Sequence, residues 1–262
     1  MSQRYTSQFP ITNTQFIALC IALLMLVFVS VPRATAEPLV YLYTYHNKPP
    51  FIVDLAAQTG LYYDLAEYLS ERDPDNNYRT AYVPRRRLDR MIESGELDGI
   101  VIGVSPVWFD DRDEQRFIWF PSLYDDQDEF VSLKHAPIEF QGLSSLMGKR
   151  FATVGGYYYF GVTEAAQDGK IDLIETIGER QVLELIAMGR ADFGIVSRSV
   201  LHYLGANDEL GNEFHFSQVP HDVFQRRAFT VNTHAHLHDN LLPIITQLNS
   251  DPAWLEILAK YQ

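Results

Sequence analysis

One short unit that occurs twice constrains the fold of this chain more than any other feature. Gly95-Glu-Leu-Asp98-Gly-Ile-Val-Ile102 and Gly189-Arg-Ala-Asp192-Phe-Gly-Ile-Val196 lie 94 residues apart. Glycine suits the left-handed position just past the end of a helix, aspartate suits the tight turn that follows, and the apolar run is typical of a buried strand. Two copies at the spacing of one lobe predict two similar α/β lobes, with the cleft between them as the default binding site.

Strand-like and helix-like segments alternate around both copies of the unit. Such alternation is typical of a mostly parallel sheet covered by helices, so the predicted fold class is α/β. Strands are predicted at 39–44, 78–83, 99–104, 150–154, 193–197 and 224–231. Helices are predicted at 62–72, 86–94, 159–167, 179–188, 238–248 and 253–261. The last strand and two helices indicate that the chain returns to its first lobe.

The first 36 residues have the pattern of a secretory signal. Arg4 lies in a segment without acidic residues, an apolar run covers 16–31, and Ala34-Thr35-Ala36 forms an A-x-A cleavage site. Because a membrane span needs about 20 apolar residues, we expect cleavage and a periplasmic protein, with an uncleaved anchor as the alternative. Cleavage would remove the single cysteine, Cys20, and with it any disulfide or thiol chemistry.

The expected mature chain is acidic and long enough for two lobes. Removal of 1–36 leaves 226 residues and takes the net charge from −13 to −15, because two arginines are lost. Nucleic acids and anionic membranes require basic patches, so both are poor partners, and the charge favours a soluble monomer. We assign 1–36 to the signal peptide, 37–131 with 226–262 to lobe 1, and 132–225 to lobe 2, with the two crossings between lobes near 130–133 and 226–229.

Several short elements resemble the small periplasmic solute-binding proteins of the amino-acid transporter type, in order and in spacing. They are Pro49-Pro50-Phe51, Gly60-Leu-Tyr-Tyr-Asp64, Gly95-x-x-Asp98, Ser105-Pro106, Phe120-Pro-Ser-Leu-Tyr124, the segment from Leu143 to Phe151, and Gly189-x-x-Asp192. The resemblance implies two Rossmann-like lobes with mostly parallel sheets, joined by a two-strand hinge (the type II periplasmic binding fold). It also implies closure on a small solute that is delivered to a membrane permease.

The sequence departs from that family at two charged positions. Amino-acid binders of the family carry an arginine for the α-carboxylate three residues after the serine of the first post-strand turn, where this chain has Trp108. They carry an aspartate for the α-ammonium group where this chain has Ser197. We therefore expect a ligand other than a standard α-amino acid. Arg112 or one of Arg85–Arg87 could replace the missing arginine.

Aromatic side chains are the main candidates for ligand contacts. Tyr157-Tyr158-Tyr159 follows two glycines before a helix, and one or two of these rings are expected to face the cleft. With Tyr45, Phe51, Trp108, Phe109 and Tyr124 they could form a box that holds rings or cations. Arg85 is a candidate because a triple arginine at a helix start opposes the helix dipole. The predicted ligand-binding residues are Tyr45, Phe51, Arg85, Val104, Ser105, Trp108, Tyr124, Tyr157, Tyr158 and Ser197.

Other polar clusters have simpler interpretations. His234-x-His236-x-His238 would not converge on a metal if it enters a helix, so solvated histidines are expected and no metal is predicted. The acidic run Asp125-Asp126-x-Asp128-Glu129 fits no calcium loop and is interpreted as a solvated surface near the hinge. No nucleophile elbow, phosphate loop or H-E-x-x-H is present, so no catalytic residue or cofactor is predicted.

The sequence therefore predicts a periplasmic binding protein without chemistry of its own. It would capture a small polar or aromatic metabolite for a transporter or a sensor protein. One alternative is an enzyme on the same fold, similar to cyclohexadienyl (prephenate) dehydratases, for which Glu164 is the one candidate acid in the second lobe. The other is a lobe pair that serves only protein–protein contact.

Overall fold

The computed structural model describes residues 37–207 and 211–261. The predicted signal segment, 1–36, lies outside them. The strands are β1 (Leu39–Thr44), β2 (Asn77–Tyr82), β3 (Ile100–Val104), β4 (Ile118–Trp119), β5 (Tyr124–Leu133), β6 (Arg150–Val154), β7 (Asp172–Thr176), β8 (Phe193–Ser197), β9 (Phe214–Phe216) and β10 (Asp222–Thr230). The α-helices are α1 (Leu61–Ser70), α2 (Arg85–Ser94), α3 (Val162–Gln167), α4 (Glu179–Ala187), α5 (Arg198–Ala206), α6 (Ala235–Leu248) and α7 (Pro252–Ala259).

The strands follow the order β2-β1-β3-β10-β5-β8-β6-β7, with β4 beside β10 and β9 beside β5. The outer strands pair in parallel on both sides, as crossover helices require: β1 with β2 and β3, and β6 with β7 and β8. The two long strands β5 and β10 are antiparallel to each other over Tyr124–Asp128 and Asp222–Arg226. They connect the two groups of parallel strands.

These two groups are the two predicted α/β lobes, and the fold class is confirmed. The first lobe contains β1–β3 with α1, α2, α6 and α7, and the second contains β6–β8 with α3–α5. The strand β10 changes its partner from β5 to β3 between Arg226 and Arg227, whereas β5 already pairs with β8 of the second lobe from Asp128 onward. The residue bounds assigned to the lobes stay a prediction.

The repeated unit performs the same task in each lobe. Gly95 and Gly189 have φ angles of 73° and 64°, the left-handed region that glycine adopts without strain. Asp98 accepts a hydrogen bond from the Tyr43 hydroxyl of β1 at 2.6 Å. Asp192 accepts from the backbone N–H of Arg150 on β6 at 2.8 Å and pairs with its guanidinium. Each aspartate thus ties the turn before an inner strand to the neighbouring strand.

Each lobe buries apolar side chains on both faces of its strands. In the first lobe, α1, α6 and α7 pack on one face around Trp254, and α2 packs on the other around Phe109 and Phe229. In the second, α4 and α5 cover one face, and α3 covers the other around Phe151 and Phe193. Among the residues that the structure describes, no helix is long and apolar enough to cross a membrane.

Candidate ligand-binding site

A small cavity lies where the two lobes meet, at the carboxyl ends of β1, β3, β6 and β8. Its volume is about 30 Å³, which is room for one or two water molecules. Ligands of open α/β sheets bind at this edge of the strands. The lining residues are Tyr45, His46, Lys48, Arg85, Trp108, Asp128, Tyr157, Tyr158, Tyr159, Glu179, Ser197 and Arg226.

The Arg226 guanidinium reaches the cavity from the connecting strand β10 and is fully buried. Its Nε donates to Asp126 Oδ2 at 2.7 Å, Nη1 to the carbonyl of Gly103 at 3.0 Å, and Nη2 to Ser197 Oγ at 3.2 Å. Burial alone would lower the pKa of Arg226, but the Asp126 carboxylate and nearby tyrosines raise it well above its usual range. Burial likewise opposes ionisation of Asp126, and Arg226 reverses this, so the pKa of Asp126 is lowered. Arg226 is therefore positively charged and Asp126 negatively charged, and the pair has no net charge.

A second buried pair joins the lobes directly. Lys48, in the loop after β1, contacts the Glu179 carboxylate and donates to Ser197 Oγ at 2.6 Å. Glu179 is the first residue of α4, where the helix dipole favours an acid, and its Oε2 accepts from the Ser197 backbone N–H at 3.1 Å. Burial lowers the pKa of Lys48, and Glu179 opposes that shift. Ser197 therefore receives hydrogen bonds from Lys48 and Arg226 while it touches Glu179.

Asp128 differs from the other charged groups of the cavity. It stands on β5, its residue is 93% buried, and no hydrogen bond or ion pair to its carboxylate occurs within residues 37–207 and 211–261. Burial raises the pKa of Asp128 to about 7, and Lys48 counteracts this only partly. An unpaired buried carboxylate is unfavourable unless it takes up a proton or meets a cation.

Aromatic rings form the remaining walls. Tyr157 packs against core clusters of both lobes, and its ring meets that of Tyr45 edge-on with centroids 5.9 Å apart. Trp108 meets His46 edge-on at 5.9 Å. Burial holds the pKa of His46 well below its usual range, and its Nδ1 has no hydrogen-bond partner within the described chain. His46 is therefore neutral and contributes no charge to the cavity.

Arg85 contacts the aromatic residues Trp108 and Phe109. Its Nη2 donates to the carbonyl of Trp108 at 2.6 Å, and its Nε donates to Asp89 one helical turn later at 2.8 Å. The guanidinium carbon lies 4.2 Å from the centre of the Phe109 ring. Pairing with Asp89 satisfies the charge of Arg85, while Arg86 and Arg87 are exposed.

The structure brings six of the ten predicted site residues to this cavity: Tyr45, Arg85, Trp108, Tyr157, Tyr158 and Ser197. Phe51 and Tyr124 lie on the other side of Arg226 and stack at 6.0 Å. They line a separate cavity of about 520 Å³ between the connecting strands and α1, α5 and α7. Val104 is fully buried in the core, and Ser105 is buried in the turn that follows it.

Two expectations about charge are wrong. Asp126, Asp128 and Glu129 are buried rather than solvated. Asp126 and Asp128 share the face of β5 that lies between the lobes, and Glu129, on the other face, is covered by its ion pair with Arg198. Arg112 is exposed and outside the cavity, because Asp111 binds the backbone N–H groups of the turn in which Arg112 lies. Arg226 contacts the end of β3 at the carbonyl of Gly103, and Arg85 contacts the turn that follows at the carbonyl of Trp108.

Two other clusters lie outside the cavity. Phe109, suggested for the aromatic box, is a core residue whose ring meets that of Phe229 edge-on, with centroids 4.9 Å apart. His234 precedes α6, and His238 packs on Phe120 at 4.8 Å, so the three histidines do not converge. Within the described residues, no group of three or more His, Cys, Asp or Glu side chains is arranged to hold a metal ion.

Glu164, the acid considered for a dehydratase, is exposed and accepts a hydrogen bond from the Tyr158 hydroxyl. It does not line the cavity. All three tyrosines at 157–159 line the cavity, where one or two were expected, and Tyr159 is the one outside the predicted set. The lining residues that sequence reasoning missed are His46, Lys48, Asp128, Glu179 and Arg226. The doubled arginine in Phe224–Val231, an otherwise apolar strand, is a signal that could have indicated Arg226.

Solved structures of other proteins share this architecture. A histidine kinase sensor domain with similarity to periplasmic binding proteins matches at TM-score 0.69 and 16% identity, over 86% of this chain and 96% of its own. A putative L-cystine ABC transporter protein from Listeria monocytogenes matches at TM-score 0.69 and 14% identity, over 86% and 95%. An ancestral arginine-binding protein bound to arginine matches at TM-score 0.67 and 14% identity, over 86% and 98%.

The fold is that of the periplasmic solute-binding proteins. The predicted resemblance is therefore confirmed at the level of the fold. No protein-family model and no curated protein matches the chain.

Proposed function

We propose that this protein is an exported solute-binding protein that captures a small polar or aromatic metabolite between its lobes. One observation carries the proposal: aromatic and charged side chains from elements of both lobes converge on one cavity, at the sheet edge where this fold type binds ligands. The similar structures, described as a binding protein, a sensor domain and an ABC transporter, support the same role. The site offers recognition groups, and we assign it no reaction.

The proposal extends to location and partners. A signal at 1–36 would direct the chain to the periplasm, where the closed form would be recognised by a permease or by the outer part of a sensor protein. The similar structures include proteins described by each of these contexts, so both partners remain in the proposal. We also propose the lobe bounds 37–131 with 226–262 and 132–225. With these bounds, the cavity residues Asp128 and Arg226 lie next to the two points where the chain crosses between the lobes.

Native mass spectrometry of freshly purified protein, followed by a thermal-shift screen of metabolites, tests the proposal. A ligand at 100 times its dissociation constant adds about 2.7 kcal/mol of stability, which raises the melting temperature by several degrees. Trp108→Ala, which removes a wall of the cavity, should weaken binding of any hit at least about tenfold. Trp119→Phe, a substitution in the first-lobe core, is the control. No retained mass and no shift in a broad screen would contradict small-molecule binding.

A further inference from the structure

The charges of the cavity do not balance. Arg226 pairs with Asp126, Lys48 pairs with Glu179, and each pair is neutral as a unit. At the rim, Arg85 is paired with Asp89. Asp128 is the remaining acid among the described residues that line the cavity. When Asp128 is ionised, the cavity therefore carries one net negative charge.

The surroundings of Asp128 accept a cation better than an anion. The rings of Tyr45, Trp108, Tyr157 and Tyr159 line the same space, and aromatic faces attract ammonium groups. An anionic ligand would have to displace Asp126 from Arg226 or Glu179 from Lys48, leaving a further buried carboxylate without its partner. That exchange is unfavourable because an unpaired buried charge loses several kcal/mol of solvation.

From these contacts we infer that the ligand is a small organic amine that carries a net positive charge, and that the Asp128 carboxylate binds its ammonium group. This inference rests on the proposed function and specifies its ligand class. A zwitterion would leave the net negative charge of the cavity in place, whereas a monocation neutralises it. The ligand class therefore differs in net charge from cystine, named for one similar structure. It differs from arginine, named for another, in having no carboxylate group to place in the cavity.

Two matched series of compounds separate charge from shape. The aromatic series is phenethylamine, L-phenylalanine, 3-phenylpropionate and 2-phenylethanol, and the aliphatic series is pentylamine, L-norleucine, hexanoate and 1-pentanol. Within each series the skeleton is constant and the charge is positive, zwitterionic, negative or absent. We expect the amine to bind at least tenfold more tightly than the zwitterion and the alcohol, and the anion to show the weakest binding.

Asp128→Asn tests the assigned residue. Loss of a charged hydrogen bond should weaken amine binding about 10- to 100-fold and leave alcohol binding within a factor of about three. Asp125→Asn is the matched control, because Asp125 is an exposed acid on the same strand. Circular dichroism establishes folding, and Asp128→Ser replaces the variant if Asp128→Asn does not fold.

Calorimetry of the unaltered protein gives an independent readout. Binding of the amine at pH 6 should release close to one proton, since Asp128 ionises when the ammonium group arrives. The buffer takes up this proton, so the measured heat should differ between phosphate and MES, which both buffer at pH 6, differ in ionisation enthalpy and contain no primary amine. Tighter binding of an anion or alcohol than of its amine, or full amine binding by Asp128→Asn, overturns the inference and leaves solute binding intact. If no compound of these series or of the broad screen binds, the proposed function fails together with the inference.

Discussion

At the scale of single residues, the side chains that sequence reasoning found are those with a local signature. Tyr157 and Tyr158 follow glycines before a helix, and Trp108 follows a strand and a Ser-Pro turn. Arg226 has only the doubled arginine of its strand as a signature, and Asp128 has none. Two of the partners of Arg226, Asp126 and Gly103, lie 100 and 123 residues away along the chain. A charged residue in a strand shows which face it occupies only when the neighbouring strands are known.

The stability of the protein should depend on pH through Asp128. The folded state raises the pKa of this carboxyl to about 7, whereas the unfolded chain has the ordinary value near 4. The folded state therefore binds the proton more strongly, and the stability contributed by the protonated group is lost as pH rises from about 4 through 7. Asp128→Asn should thus be more stable than wild type by about 2–4 kcal/mol at pH 8 and nearly equal at pH 4.5.

Urea unfolding at pH 4.5, 6 and 8 checks this expectation. The charged groups that act on Asp128 are Lys48, Glu179, Arg226 and Asp126. They are common to both proteins, so the difference in stability isolates Asp128. Asp125→Asn should show no such trend. A variant that is less stable than wild type at pH 8 would show that Asp128 stabilises the empty site.

At the scale of elements, the strands and helices were predicted well wherever the hydrophobic period is regular. The strands at Leu39–Thr44, Arg150–Val154 and Phe193–Ser197 were predicted to the residue. The predicted helix at 159–167 begins later, at Val162. The residues before it include Tyr157, Tyr158 and Tyr159, which line the cavity. The strands β4, β5, β7 and β9 and the helix α5 were not predicted as elements. The strand β7, for example, is largely exposed and lacks a continuous apolar run.

The end of β3 places a strict requirement on one residue. Gly103 has a φ of 74°, and a Cβ atom there would lie 1.6 Å from the Tyr62 hydroxyl, a fully buried side chain. Gly103→Ala should therefore reduce the free energy of unfolding by about 3 kcal/mol or more, through overlap as well as backbone strain. Thermal and urea denaturation measure the loss.

Gly95→Ala is the matched control for Gly103→Ala. Gly95 has a nearly identical φ of 73°, with no atom within 4 Å of an added Cβ. Its substitution should reduce stability by only about 1 kcal/mol, the strain contribution alone. Equal losses at the two glycines would mean that Tyr62 moves aside without cost.

At the scale of the whole molecule, the two-lobe architecture was predictable because the Gly-x-x-Asp unit occurs twice in the sequence, once in each lobe. The contents of the cleft were not, because they depend on how the lobes meet. Lys48 is the clearest case: its partners, Glu179 and Ser197, belong to the other lobe and lie 131 and 149 residues away in sequence. The local sequence around Lys48 does not indicate its contacts with Glu179 and Ser197.

The Lys48–Glu179 pair should favour the closed arrangement of the lobes. Lys48→Met would leave Glu179 buried without its partner, which costs about 3–5 kcal/mol, and opening of the cleft relieves this by exposing the carboxylate to water. Small-angle X-ray scattering of ligand-free protein should therefore give a larger radius of gyration for Lys48→Met. Lys260→Met, which removes an exposed pair with Asp64 inside one lobe, should leave the radius unchanged. An unchanged radius for Lys48→Met would contradict this role.

The size of the cavity fixes an order of events. A space of about 30 Å³ admits water but no metabolite, so the arrangement described here is one that a solute cannot enter. In the proposed function, entry of a solute must precede closure, and the side chains that now fill the cleft must separate first. A solute cannot associate with this closed form directly. The fraction of protein that is closed therefore sets the fraction that is competent to bind a solute.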